Sequence, residues 1–136
     1  MATNTAGTNA RSHPIQHVHY FRRTVAYNTA GIATGVSLGT LPAGAQLLQC
    51  LTIPKTAFNG TDPSLTVGTV GATYNNIKAD GGETTTAAVI GTAASFLTFT
   101  QDTEVFIRFI NASTTVTPSS AGSATIVLSY VPDNDQ

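Results

Sequence analysis

Alternation with a period of two runs through most of the chain. Along residues 17–27, His17, His19, Phe21, Arg23, Val25 and Tyr27 fall on one face and Val18, Tyr20, Arg22, Thr24 and Ala26 on the other, the spacing of a β-strand. Over 45–53, Ala45, Leu47, Gln49, Leu51 and Ile53 alternate with Gln46, Leu48, Cys50 and Thr52. Both sets are largely apolar, which predicts a central strand covered on both faces. Residues 104–111 set Val105, Ile107 and Phe109 against Phe106, Arg108 and Ile110, and residues 123–131 set Ile126, Leu128 and Tyr130 against Thr125, Val127, Ser129 and Val131. Shorter strands are expected over 32–40, with Val36 and Leu38, over 64–70, with Leu65 and Val67, over 73–77, and over 95–100, with Phe96 and Leu97. The Thr- and Ala-rich stretch 84–91 is compatible with a single helical turn. The expected core is Leu47, Leu51, Ile53, Val67, Val105, Ile107, Phe109, Ile126 and Leu128.

Turn residues punctuate these runs. Leu41-Pro42-Ala43-Gly44 combines a fixed φ with a residue free to take a positive one, and Asn59-Gly60, Asp62-Pro63 and Asp80-Gly81-Gly82 mark further turns. About eight short strands at this spacing predict an all-β antiparallel sandwich or barrel. No repeat of solenoid or propeller period is visible. Residues 1–16 have no periodicity and read as an extended N-terminal arm, residues 17–132 as the β-sandwich domain, and residues 133–136 as a polar tail.

Composition strengthens the all-β reading. Thr is the commonest residue, and Lys and Glu together number four. An amphipathic helix, with Leu inside and Lys or Glu outside, is hard to build from this inventory. At 136 residues the chain is one domain's worth and can fold without a disulfide or metal.

Charge is scarce: charged residues make up 10% of the chain, and six Lys and Arg face seven Asp and Glu, for a net charge of −1. That excludes a basic nucleic-acid surface of ordinary strength and a polybasic membrane anchor. Three long uncharged stretches, 24–54, 84–101 and 109–132, are too broken by Gly, Pro, Thr, Ser, Asn and Gln to read as membrane spans. No leader pattern opens the sequence, so synthesis and residence in the cytosol are expected. A surface of uncharged Thr, Ser and Ala costs less to desolvate than one of Lys and Glu, which suits a protein covered by neighbours in an assembly. An ordinary β-domain with a Thr-coated face fits the same composition.

Candidate chemistry is sparse. His17 and His19 point the same way on a strand, with His13 nearby, but zinc sites want three or four protein ligands. No metal or cofactor is expected. Cys50 lies within the central strand, where a thiol behaves as a small apolar group. Asn59-Gly60-Thr61 and Asn111-Ala112-Ser113 match the glycosylation pattern and read more simply as turns. No nucleophile elbow and no grouping of nucleophile, base and carboxylate is visible, so the chain is not read as an enzyme. Tyr20, Phe21, Arg22 and Arg23 join aromatics to the sequence's one adjacent basic pair. Such residues anchor protein interfaces, and they also occur as ordinary strand residues with Arg stems lying over rings.

The run Gly39-Thr40-Leu41-Pro42-Ala43-Gly44-Ala45, an apolar strand, Thr56-Ala57-Phe58-Asn59-Gly60-Thr61 and Leu65-Thr66-Val67-Gly68-Thr69 resembles the head decoration, or cement, proteins of tailed bacteriophages, those of Bordetella podophages included. The resemblance is clearest over residues 31–69 and carries no residue-level binding motif. It implies a jelly-roll β-sandwich, a homodimer, and attachment to the exterior of an icosahedral head built from a major capsid protein of HK97-like fold. There it would bridge neighbouring capsomers and stabilise the shell against packaged DNA. A phage tail or fibre module binding a host carbohydrate is the alternative, although without Trp and with four Tyr an aromatic sugar groove is hard to furnish.

Overall fold

The computed structural model describes residues 17–60, 62–70, 74–78, 89–91, 99–111 and 120–133. The arm read over residues 1–16 lies outside them, as do residues 134–136 of the tail. The described residues form seven strands: β1 (His19–Ala26), β2 (Val36–Leu41), β3 (Gln46–Thr56), β4 (Pro63–Gly68), β5 (Val89–Gly91), β6 (Thr103–Asn111) and β7 (Ser123–Val131). They make two antiparallel sheets, of order β1-β7-β3-β5 and β2-β6-β4. The all-β expectation holds, with seven strands where about eight are expected.

The sheets face each other across one core. β7 sends Ala124, Ile126, Leu128 and Tyr130 inward, β6 sends Val105, Ile107 and Phe109, and β4 sends Leu65 and Val67, all buried. Alternation in the sequence passes directly into layers here, because each pleat puts every second side chain on the wet or the dry face.

β3 departs from that pattern. Leu47 pairs with Tyr130 and Gln49 with Ser129, so Leu48 is an extra residue, a β-bulge. One inserted residue reverses which side chains face the core from that point on. Cys50 and Thr52 therefore point inward at 0% exposure, while Leu51 is half-buried and Ile53 is 38% exposed on the outer face. The expectation that Leu47, Leu51 and Ile53 share the core is corrected: Leu47 packs at its margin, and the other two lie outside it. Among the described residues no second layer covers the outer face of β3, contrary to the two-sided burial its apolar sequence suggests.

Thr52 carries the cost of this register. Its Oγ1 is buried and has no hydrogen-bond partner among the described residues. An unsatisfied buried hydroxyl costs about 1–3 kcal/mol, so Thr52→Val, nearly the same shape, is expected to raise folding stability by about 1 kcal/mol. A urea melt of the two proteins measures the change.

Smaller differences have local causes. Residues 89–91 pair with β3 as Cys50↔Gly91, Leu51↔Ile90 and Thr52↔Val89, so the end of the ambiguous 84–91 stretch is strand, and residues 84–88 lie outside the described part. The strand expected over 73–77 reduces to a bridge: Lys78 N and Ile77 N donate to Val67 O at 2.8 and 3.0 Å, and Val67 N donates to Lys78 O at 3.1 Å. Phe99 and Thr100 are not strand, and residues 95–98 fall outside the described part. Residues 31–34 form turns before β2 begins, with Phe109 N donating to Ile32 O at 2.9 Å.

The two turn signatures have plain structural reasons. In the first, Ala45 N donates to Pro42 O at 3.1 Å, Gly44 holds φ at 77°, and Ala43 N donates to Asp102 Oδ1 at 2.9 Å. In the second, Phe58 is buried with its ring 4.8 Å from that of Phe109. Asn59 Oδ1 accepts from Ser120 N and Ala121 N at 2.8 and 2.9 Å, and its Nδ2 contacts Ser120 Oγ at 2.9 Å. The amide that matches a glycosylation pattern thus serves as a clamp between two loops. The second such match, at Asn111, runs into residues outside the described part.

Candidate functional site

β1 holds the four side chains singled out by sequence, and its pleat divides them. Phe21 and Arg23 turn toward the second sheet. The Phe21 ring lies 5.1 Å from that of Tyr130, and it occupies space that Gly39 of β2 leaves open, since a Cβ there would stand 2.7 Å from Phe21 Cδ1. Arg23 Nη1 donates to Ser37 O of β2, so its guanidinium joins the edges of the two sheets. Tyr20 and Arg22 fall on the opposite, outer face, both exposed, Tyr20 to 66%.

Register extends that outer face across the sheet. Tyr20 stands opposite Ser129 and then Gln49, Arg22 opposite Val127 and then Leu51, and Thr24 opposite Thr125 and then Ile53. Thr24 Oγ1 and Thr125 Oγ1 are 2.8 Å apart. An exposed phenol and guanidinium therefore continue into hydroxyl and aliphatic groups, the mixture found in protein contacts. Sequence reasoning misses Leu51 and Ile53 as surface residues. The Leu47-Leu48 doublet at the bulge is the signal available for them.

Chemistry at single groups is limited. Among the described residues, no three His, Cys, Asp or Glu gather as metal ligands. The His19 ring lies 5.7 Å from that of Tyr130, and His13 is outside the described part. Lys78 is 3% exposed, with its ammonium donating to Leu65 O beneath β4. Burial raises the Cys50 thiol from an ordinary value of 9.0 to about 11, against a smaller opposite pull from Lys78.

The unfolded thiol ionises as pH passes 9.0 while the folded one resists, so the stability tied to the neutral thiol is full below pH 9.0 and is lost as pH rises toward 11. Two outcomes are expected: iodoacetamide leaves the native chain unlabelled at pH 8 but labels it in denaturant, and Cys50→Ala flattens the alkaline fall in stability. Mass spectrometry and melts between pH 8 and 11 read these.

An open cleft at one end of the sandwich is lined by Thr69, Val70, Asn76, Phe99, Gln101 and Thr103. Asn76 is held there, its Oδ1 accepting from Thr69 N at 2.7 Å. The ring lining the cleft, Phe99, is buried, so it offers no platform for a sugar.

Solved structures share this fold over most of their length. A chain of the cyanophage Pam1 capsid asymmetric unit superposes with a TM-score of 0.62 at 24% identity, covering 96% of both chains. A chain of the Ralstonia phage GP4 capsid gives 0.58 at 18% identity, over 85% of this chain and 84% of that one. A chain of the acid-stable capsid of Helicobacter pylori bacteriophage KHP30 gives 0.55 at 15% identity, over 84% and 86%. No protein-family model and no curated protein matches the chain.

Proposed function

We propose that the chain is a structural protein of a phage particle that decorates the outside of the head and bridges neighbouring capsomers. The observation that carries this reading is the end-to-end likeness to a chain of the Pam1 capsid, 96% of each, joined by the two other phage capsids. The strand order supports the jelly-roll part of it. Two Greek keys place strands of an eight-stranded roll in two four-membered sheets. Here β1-β7-β3-β5 fills one, and β2-β6-β4, continued by the Val67–Lys78 bridge, fills the other.

The mechanism needs no catalysis. Each contact can be modest, because once one capsomer is held the second contact becomes intramolecular. Selective binding to the mature lattice then stabilises that lattice by mass action. The partner is a major capsid protein of HK97-like fold, met through Tyr20, Arg22 and their neighbours on the outer face of β1, with residues 1–16 reaching along it. The protein acts as a homodimer, a state that light scattering would test.

The test mixes purified variants with undecorated heads and counts the copies that sediment. Wild type should bind, and deletion of residues 1–15 should leave the domain folded but lower occupancy. Arg22→Ala should lower it further and make the remainder less sensitive to salt, since the lost contact is ionic. Full occupancy by both variants would remove arm and Arg22 from the mechanism, and failure of the wild type to bind would reject decoration itself.

A further inference from the structure

The four sheet edges are guarded unequally. β5 offers three residues. β2 is interrupted by a register shift between Ser37 and Gly39 and gives up Ser37 O to Arg23. β4 is covered by the segment at Ile77 and Lys78. β1 has none of these protections among the described residues. Its eight residues pair one-to-one with β7 from His19↔Tyr130 to Ala26↔Ser123, without a shift and without Pro or Gly, and among the described residues no strand lies on its other side.

In an antiparallel ladder alternate residues aim their N–H and C=O groups at the neighbour, and the rest aim theirs at the open side. A long, regular, uncovered edge is a template for another strand. Its charge restricts what can pair there. β1 carries Arg22 and Arg23, and the sequence has no Asp or Glu before Asp62. A second copy docked antiparallel over most of β1, about a two-fold axis at Arg22 or at Arg23, would set that Arg opposite its own counterpart. Like charges directly opposed across strands are unfavourable, so the edge discourages self-pairing. Two adjacent carboxylates would instead meet one Arg on each face of the pleat.

We infer that the free edge of β1 takes up an extended segment of a different polypeptide as an added strand, one with adjacent acidic residues opposite Arg22 and Arg23. The inference deepens the decoration reading by giving its contact strand a mode of binding, and it rests on that reading only for the partner's identity. Main-chain hydrogen bonds supply the hold, and the Arg pair supplies register and choice of partner.

The experiment uses the full chain, labelled with ¹⁵N, and two capped peptides, Thr-Val-Thr-Glu-Glu-Thr-Val-Thr and Thr-Val-Thr-Lys-Lys-Thr-Val-Thr. Amide shifts and hydrogen exchange along residues 19–26 are followed during titration. The acidic peptide is expected to protect alternate β1 amides and to bind roughly tenfold more tightly than the Lys peptide, and Arg22→Glu is expected to remove or reverse that preference. Equal binding of both peptides, no binding, or protection elsewhere would overturn the inference. So would β1 amides that gain protection with protein concentration alone, which would place a second copy on the edge. None of these outcomes depends on heads: a chain that captures the acidic peptide but ignores heads refutes decoration, and one that binds heads but no peptide refutes strand addition.

Discussion

Replacing Leu128 with Ala should cost about 2–5 kcal/mol of folding stability, while the same truncation at Leu51 should cost about 1 kcal/mol. The two leucines sit on neighbouring strands, and by sequence alone both are core residues. Leu128 is 0% exposed, in the middle of β7, which is flanked by β1 and β3 and faces the second sheet. Deleting its branched end loses the transfer energy and leaves a cavity that paired strands on both sides cannot close. Leu51 stands past the bulge at Leu48 on the outer face, half-buried, where water fills any space vacated. Urea melts of both variants test the register of β3. Equal large losses would mean that the bulge is absent and Leu51 faces inward.

A comparably large loss is expected from a single methyl group at Gly122. This residue enters β7 with φ at 136°, a region that side-chain-bearing residues avoid. A Cβ would also stand 2.8 Å from Phe58 Cα and closer still to the Phe58 ring. That ring is itself fixed against Phe109, and the loop behind it is tied to residues 120–121 by Asn59. Neither partner can withdraw without breaking the clamp. Gly122→Ala should therefore cost upward of about 3 kcal/mol, backbone strain adding to overpacking, and it should leave little soluble protein at 37 °C. Expression level and thermal melting check it, and a variant that melts with the wild type would show that the loop yields.

Much of this architecture is legible in the residues. β6 and β7 alternate without interruption, so their inner faces, Val105, Ile107 and Phe109 against Ala124, Ile126, Leu128 and Tyr130, follow from parity alone. β3 is not legible in the same way. Its two faces are almost equally apolar, so hydrophobicity does not choose a register, and the choice falls to one bulged residue whose position depends on pairing with β7. β1 is half legible. Tyr20 and Arg22 are exposed as a surface reading of the strand requires, but adjacency in sequence conceals that Phe21 and Arg23 face the other way and serve the junction of the two sheets. That β1 is an edge is fixed only by the order of the strands, which no local pattern records.

Lys78 illustrates the same boundary between local and tertiary information. In sequence it is one of six cations and would be assigned to the solvent. In the fold it lies beneath β4, its ammonium on Leu65 O and its backbone on Val67. Its burial follows from the segment at 77–78 taking the place beside β4, a long-range choice that the polar run Asn75-Asn76-Ile77-Lys78 does not announce.

Whether the chain coats the outside of a phage head, as proposed, is tested most directly by electron cryomicroscopy of the particles that carry it. The account predicts density for a two-sheet sandwich on the outer surface of the shell, seated over boundaries between capsomers, with the β1 edge against the capsid protein. Sandwich density confined to the tail or its fibres, or a bare shell in particles shown to contain the protein, would contradict it.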